Sequence, residues 1–558
     1  MFSLSRNVVD RFALNPSVKM PRSSFDRNCS IKTSFNFGQL IPFYVDEVLP
    51  GDTFTIKTSK VCRLSTLITP VMDNMFLDTY YFFVPNRLVW EHWKEFNGEN
   101  TTSAWYPSVE YSIPQVVAPE GGWSIGTVAD YMGIPTGVAG LSVNALPFRA
   151  YALICNEWFR SQNLQDPLNI PVGDAQTTGS NGTNYITDVV AGGVPFNACK
   201  YHDYFTSCLP SPQKGPDVSI PLGSSAPVYG DGNALTLFGL NDGTPAFYSI
   251  NMSASSNLHT SDEPFQPVGT ASSRVTPSLD NLGLVRSEDV TGEQTSGIYA
   301  DLSAASAFTI NQLRLSIAVQ SLYEKDARGG TRYTEILRNH FGVTSPDSRL
   351  QRPEYLGGNR LPINVNQVVQ QSETGTTPMG DTAGWSLTQD ENRDFRQSFV
   401  EHGFVIGLCV ARYIHTYQQG LERFWSRKGR FDYYWPVFAN IGEQAVLNKE
   451  IYVQGNATDN EVFGYQEAWA DYRYKPSIVT GNMRSSSPIT LDSWHLADEY
   501  STLPTLSASW LVEDKNNVDR TLAVTSEKSN QILCDFYIQN TAVRPMPLYS
   551  IPSLIPRL

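Results

Sequence analysis

Residues 80–84 read Tyr-Tyr-Phe-Phe-Val and stop at Pro85, a run with no charged residue and no apolar–polar alternation. A strand with one wet face alternates, so an unbroken run of this length fits a strand covered on both faces, deep in a layered β fold. Neighbouring stretches agree with that reading. Leu40-Ile41-Pro42-Phe43-Tyr44-Val45, the turn signal Pro50-Gly51-Asp52 and the alternating Thr53-Phe54-Thr55-Ile56-Lys57 read as two strands around a tight turn. Far along the chain, Leu533–Gln539 places Cys534, Phe536 and Ile538 on one face and Asp535, Tyr537 and Gln539 on the other. That alternation predicts a late strand of the same sandwich.

Composition points the same way. Aromatic residues make up 12% of the chain and prolines number 35, while charged residues are only 17%. This balance suits many short strands, turns and broad protein contacts rather than long charged helices. With 558 residues, 41% of them hydrophobic, the chain can bury a large core. Helices are expected as insertions between strands: over 146–164, over Thr309–Arg328 with Thr309 as cap and Gly329-Gly330 as stop, and over 331–340. Ile310, Leu313 and Ile317 share one face of the second.

Several function classes lack support. The first 20 residues carry Arg6, Asp10, Arg11 and Lys19 with no unbroken apolar stretch, which argues against a secretory signal and for a protein that stays in the cytoplasm where it is made. The apolar run Gly403–Val410 stops before Arg412, well short of the roughly 20 residues that cross a bilayer. Seven cysteines, scattered and without a CxxC pair, fit buried thiols rather than a disulfide framework or a zinc site. The histidines form no ligand spacing, and phosphate-binding and EF-hand motifs are absent, so neither a metal nor a nucleotide cofactor is expected. Asp231-Gly232-Asn233 and Asn241-Asp242-Gly243 read as turns rather than cation loops. One catalytic pattern occurs, Gly122-Trp123-Ser124-Ile125-Gly126, but Pro119 and Gly121 break the strand that a nucleophile elbow needs, and no long helix follows. A glycine-rich loop explains it better than a serine hydrolase using Ser124.

The net charge of −14 is unevenly spread. Residues 1–32 hold Arg6, Arg11, Lys19, Arg22, Arg27 and Lys32 against Asp10 and Asp26, a balance of +4. Residues 171–300 hold 12 acidic groups against Lys200, Lys214, Arg274 and Arg286, a balance of −8. That middle region is rich in Gly, Ser, Thr, Asn and Pro, yet Tyr201, Tyr204, Phe205, Phe238, Phe247 and Tyr248 supply anchors that a plain linker lacks. It reads as a surface insertion with short strands. A second basic feature is Arg423-Phe424-Trp425-Ser426-Arg427-Lys428-Gly429-Arg430-Phe431, followed by Tyr433, Tyr434 and Trp435. Cations neutralise phosphates and exposed rings stack on unpaired bases, which is what a nonspecific single-strand site requires. A core strand over Phe431–Trp435, with the cations in a loop or subunit contact, accounts for the same residues. Candidate DNA-contacting residues are therefore Arg6, Arg11, Lys19, Arg22 and Arg27 in the arm, with Arg423, Phe424, Trp425, Arg427, Lys428 and Arg430 in the aromatic segment.

Literal runs connect these features to a family. Phe341-Gly342-Val343-Thr344-Ser345-Pro346 and Arg352-Pro353-Glu354-Tyr355-Leu356-Gly357-Gly358 resemble the major capsid protein of gokushoviruses, small single-stranded DNA phages of the Microviridae. Further segments resemble that family in the same order: Pro70–Asn74 with Phe83–Arg87, Leu146–Tyr151, Asn156–Arg160, and Tyr537–Asn540. The resemblance lapses between about 171 and 300.

The resemblance implies an eight-stranded antiparallel jelly-roll β-sandwich of viral capsid type, with long loop insertions and a few helices. It implies a structural protein, sixty copies of which close a T=1 icosahedral shell around a circular single-stranded DNA genome. The organisation expected is a basic arm over 1–38, the first part of the jelly roll over 39–170, an acidic outward protrusion over 171–300, the remainder over 301–540 and a proline-rich tail over 541–558. Implied partners are further copies of the chain, the genome, the internal scaffolding and DNA pilot proteins of the same virus, and a host surface receptor, with assembly in the bacterial cytoplasm and no membrane insertion. A carbohydrate-binding adhesive sandwich is the rival reading and predicts a monomer or small oligomer.

Overall fold

The computed structural model describes residues 21–100, 109–218 and 310–549, and the backbone of short strands at 228–230, 235–241, 244–249, 283–286 and 298–300. Two compact units emerge, Gly215–Tyr323 and the rest of the chain.

The main unit is built on two antiparallel sheets. The strands of these two sheets are β1 (Ser23–Asp26), β2 (Cys29–Phe35), β3 (Ile41–Val48), β4 (Thr53–Leu64), β5 (Met75–Pro85), β6 (Glu354–Pro362), β7 (Thr388–Ser398), β8 (Gly403–Tyr413) and β9 (Ile532–Arg544). One sheet runs β1/β2, β9, β4, β7, and the other β6, β5, β8, β3. The chain switches sheets at nearly every connection, which is the winding of a jelly roll. These sheets hold nine strands rather than the expected eight, five in one and four in the other. The extra one arises because β1 and β2 lie end to end along β9, separated at Arg27 and Asn28, where Arg27 N donates to Asn540 O and Asn540 N donates to Asn28 Oδ1.

The unbroken run at 80–84 is the C-terminal half of β5, hydrogen-bonded to β6 and β8 on its two sides. Tyr81 and Phe83 point into the core between the sheets, with Phe43, Ile56 and Phe536. Phe82 and Val84 point the other way, into a second core with Trp90, Trp123, Phe148 and Phe196. Both faces are covered, as the absence of alternation requires. The expected turn at Pro50–Asp52 is present, with Asp52 N donating to Leu49 O and Leu49 N to Asp52 Oδ2. The strands around it are not hairpin partners, however: β3 pairs with β8 in one sheet and β4 with β7 and β9 in the other. The turn is a corner of the sandwich.

Helices are few. α1 (Leu146–Ile154) continues as one wide turn to Phe159 and stops short of 164, because Arg160 is extended and donates from Nη1 to Gln165 O. α2 (Ile310–Gly329) and α3 (Tyr333–Phe341) fall where the pattern places them, with Ile310 and Ile317 exposed and the cap at Thr309 outside the described residues. Residues 189–198 pack in the second core through Val189, Val190, Phe196 and Ala198. The second unit contains a strand at 235–241 flanked by 244–249 and 283–286, and a pair formed by 228–230 and 298–300. The loops Asp231–Asn233 and Asp242–Gly243 lie outside the described residues. Among the described residues all seven cysteines are free and five are buried, and no helix is long and apolar enough to cross a membrane.

Candidate functional site

The chain leaves β8 at Tyr413, traverses residues 414–442 without a strand, and returns as a hairpin of Glu443–Leu447 with Val462–Glu467. This excursion sits on a third apolar cluster of Tyr204, Phe205, Cys208, Tyr417, Val446, Ile451 and Phe463. Short 3₁₀ turns at 423–426, 430–432 and 436–438 stand in place of a core strand over Phe431–Trp435. Three turns in quick succession leave alternate side chains without a sheet to cover them, and Phe424, Trp425, Phe431, Tyr433, Tyr434 and Trp435 are all exposed.

The cations of this segment divide into two kinds. Arg423 Nη1 donates to Ala445 O at 2.8 Å and meets Glu450 Oε1 at 3.3 Å. Burial pushes the Glu450 carboxyl up, and the Arg423 charge opposes that shift. Arg427 is buried, paired with Asp471, and lies over the Tyr472 ring at 4.3 Å. Both guanidiniums are committed inside the fold. Lys428 and Arg430 are exposed and make no ion pair among the described residues. Arg430 lies 4.9 Å over the Trp435 ring, whose Nε1 donates to Arg430 O. Asp432 caps this turn, accepting from the backbone N–H groups of Lys428 and Gly429 at 2.7 Å, and those donors hold its pKa down. Beneath the segment a cleft of about 410 Å³ is lined by Tyr204, Arg423, Phe424, Arg427, Tyr474 and Lys475 among others.

The arm residues are differently placed. Arg22 donates to Gly51 O and Thr53 Oγ1, Arg27 pairs with Asp46, and Lys32 pairs with Asp535 at 3.4 Å. These contacts fasten β1 and β2 to the sandwich, which sequence reasoning about net charge did not reveal. Arg6, Arg11 and Lys19 lie outside the described residues.

Ser124 lies in an exposed loop. Its N–H donates to Asn181 Oδ1, its carbonyl accepts from Thr127 Oγ1, and among the described residues no hydrogen bond joins it to a histidine. Trp123 beside it is buried and donates from Nε1 to Ala191 O, so the motif serves packing.

A buried polar network escaped the sequence reading. His415 Nδ1 lies 3.0 Å from Asp498 Oδ1, and its Nε2 lies 3.1 Å from Glu513 Oε1. Lys200 approaches Asp498 at 3.7 Å, while Asn517 and Tyr500 donate to it at 2.6 and 2.9 Å. Burial alone would lower the His415 pKa, but the two carboxylates outweigh it and push it up to about 9. Burial would likewise raise Asp498, yet His415 and Lys200 hold it at about 2. Single residues at 200, 415, 498 and 513 carry no spacing signal, so only the folded chain shows the group.

The family-like runs turn out to be packing devices. Trp158 donates from Nε1 to Pro353 O, the Arg352 guanidinium lies 4.0 Å over the Trp158 ring, and Arg332 Nη2 donates to the carbonyls of Asn156 and Arg160. Two of the runs, 156–160 and 352–358, therefore lock on one another beside β5, and Arg332 at the start of α3 ties down the first. A Cβ on Gly357 would sit 2.3 Å from Asp394 O and one on Gly358 would sit 2.1 Å from Thr79 O, so strand β6 approaches its neighbours only because both lack side chains.

Comparison with known proteins matches this geometry to a family. The sequence profile of the family described as "Capsid protein (F protein)" matches residues 13–554. Capsid protein VP1 of Bdellovibrio phage phiMH2K is 44% identical over 557 residues, covering 99% of each chain, and that of Spiroplasma virus 4 is 44% identical over 564 residues, again covering 99% of each. Capsid protein VP1 of Chlamydia phage 1 is 43% identical over 591 residues, 98% of each chain. These matches set aside both the serine hydrolase and the adhesive carbohydrate binder, and identify a structural component of the virion that assembles into its shell. Matched across nearly its whole length, the chain belongs to the F-protein family of phage capsid proteins, in its gokushovirus branch.

Proposed function

We propose that the chain closes a T=1 shell of sixty copies around a circular single-stranded DNA genome, with the acidic insertion on the host-facing side. The observation that carries this reading is the full-length match to phage capsid proteins on a jelly-roll sandwich. Closed symmetry repeats each contact, so modest complementarity per copy sums to a cooperative assembly. Scaffolding and DNA pilot proteins of the same virus are its assembly partners, and a host surface receptor is the partner of the insertion.

The genome is held electrostatically, without sequence readout, by cations that the fold leaves free. Lys428 and Arg430, beside the exposed rings of Phe424 and Trp425, meet that description. Arg6, Arg11 and Lys19 of the arm complete the set, whereas Arg22 and Arg27 are already engaged with Gly51, Thr53 and Asp46. The test is Lys428→Ala with Arg430→Ala, leaving Arg427 in place because its loss would strand the half-buried Asp471. Particle yield stays at wild type while the ratio of full to empty particles on a density gradient falls several-fold. Unchanged filling would remove this segment from the DNA-contacting surface.

A further inference from the structure

Immediately after the basic turn the surface changes character. Residues 431–441 read Phe-Asp-Tyr-Tyr-Trp-Pro-Val-Phe-Ala-Asn-Ile, with no lysine or arginine and one carboxylate that its backbone donors keep ionised. Phe431 is 72% exposed, Tyr433 53%, Tyr434 45%, Trp435 41%, Val437 88% and Ile441 54%. Taking roughly 150–250 Å² for each of these large side chains, these fractions amount to about 700 Å² of open surface, most of it apolar. Monomeric proteins rarely leave so large a patch to water.

We infer that the surface of Phe431–Ile441 is a docking face for a second copy of this chain. The inference rests on the capsid reading and adds the surface through which copies meet. Phosphate contact belongs to the edge of this face, where Arg430 lies over Trp435, because residues 431–441 themselves carry no cation to hold a polyanion. A protein face fits: aromatic side chains dominate the centres of protein interfaces, and the exposed area approaches the roughly 800 Å² that one partner contributes to a standard interface. The face is also held in shape before any partner arrives. Trp469 donates from Nε1 to Phe438 O at 2.8 Å, Phe431 packs edge-on against Phe438 at 6.2 Å, and Tyr434 lies against both Trp469 and Tyr472. A preformed face loses little conformational freedom on association. A second copy is the occupant because proteins of this family build a shell from copies of themselves.

The experiment pairs Phe431→Ser with Val437→Asp in the full chain, produced beside wild type with its viral assembly partners. Val437 projects into solvent and Phe431 gives up only its edge contact with Phe438, so circular dichroism and melting temperature stay close to the wild-type values. The expected result is a folded species at 62.1 kDa with closed particles reduced at least ten-fold. Particles at wild-type yield would overturn the inference whatever their DNA content, and a lower DNA content in them would reassign the face to the genome. If the pair lowers the melting temperature, Val437→Asp alone takes its place under the same criterion. Wild-type protein that forms no particles would instead overturn the capsid reading itself.

Discussion

His415 is the residue on which the most charge balance hangs. It joins the end of β8 to the segments that carry Asp498 and Glu513, with Lys200 on the far side of Asp498, so two positive and two negative groups share one buried site. Such a group is weak evidence for net stability as a whole, but removing one member leaves a buried charge unpaired. His415→Phe should cost about 3–5 kcal/mol, read as a fall in denaturant midpoint. The pH dependence follows from the signs. His415 is raised from 6.5 to about 9, so its contribution is complete below 6.5, declines from there and is gone above about 9. Asp498 is lowered from 3.8 to about 2, so its contribution is complete above 3.8 and is lost as pH falls toward 2. Melting temperature measured against pH should peak between those ordinary values, and the alkaline decline should flatten in His415→Gln. A decline of equal slope in the variant would assign it to other groups.

Among the elements, strands were the most readable, because burial imposes a period that survives in sequence. β9 alternates buried and exposed residues from Ile532 to Ala542, and β5 shows the unbroken run of a strand with two cores. What local pattern could not show is which strand pairs with which: the turn at Pro50–Asp52 looks the same whether it closes a hairpin or turns a corner between sheets. The inserted turns at 423–438 were equally opaque, since an aromatic run reads as core unless the intervening prolines and glycines are given their full weight. Phe536 shows how much one position in β9 carries. Its ring stacks on Phe43 across the sandwich at 4.4 Å and is fully buried, so Phe536→Ala should cost about 3–5 kcal/mol. Chemical denaturation would show the loss, and a change below 1 kcal/mol would mean that the core closes over the gap.

At the scale of the whole molecule, the candidate site was legible as a composition and not as an arrangement. Arg423 and Arg427 look identical to Arg430 in sequence, yet folding places Glu450 and Asp471, distant along the chain, against the first two and leaves the third open. The sandwich is assembled from similarly distant parts. β9 lies between β1/β2 on one side and β4 on the other, pairing Cys29 with Ile538 and Val543 with Thr53. A chain cut before Ile532 should therefore fail to protect the amides of β2 and β4 from hydrogen exchange and should be cleared by proteases; protection equal to that of the full chain would show the first sheet to be self-sufficient. The interior position of β9 also ties closure of the first sheet to completion of the chain. A ribosome makes β9 after every other strand of the sandwich, so an interrupted translation product lacks the middle of a sheet and presents bare edges to quality control. Only complete subunits can then enter a particle in which one defective copy would spoil every contact around it.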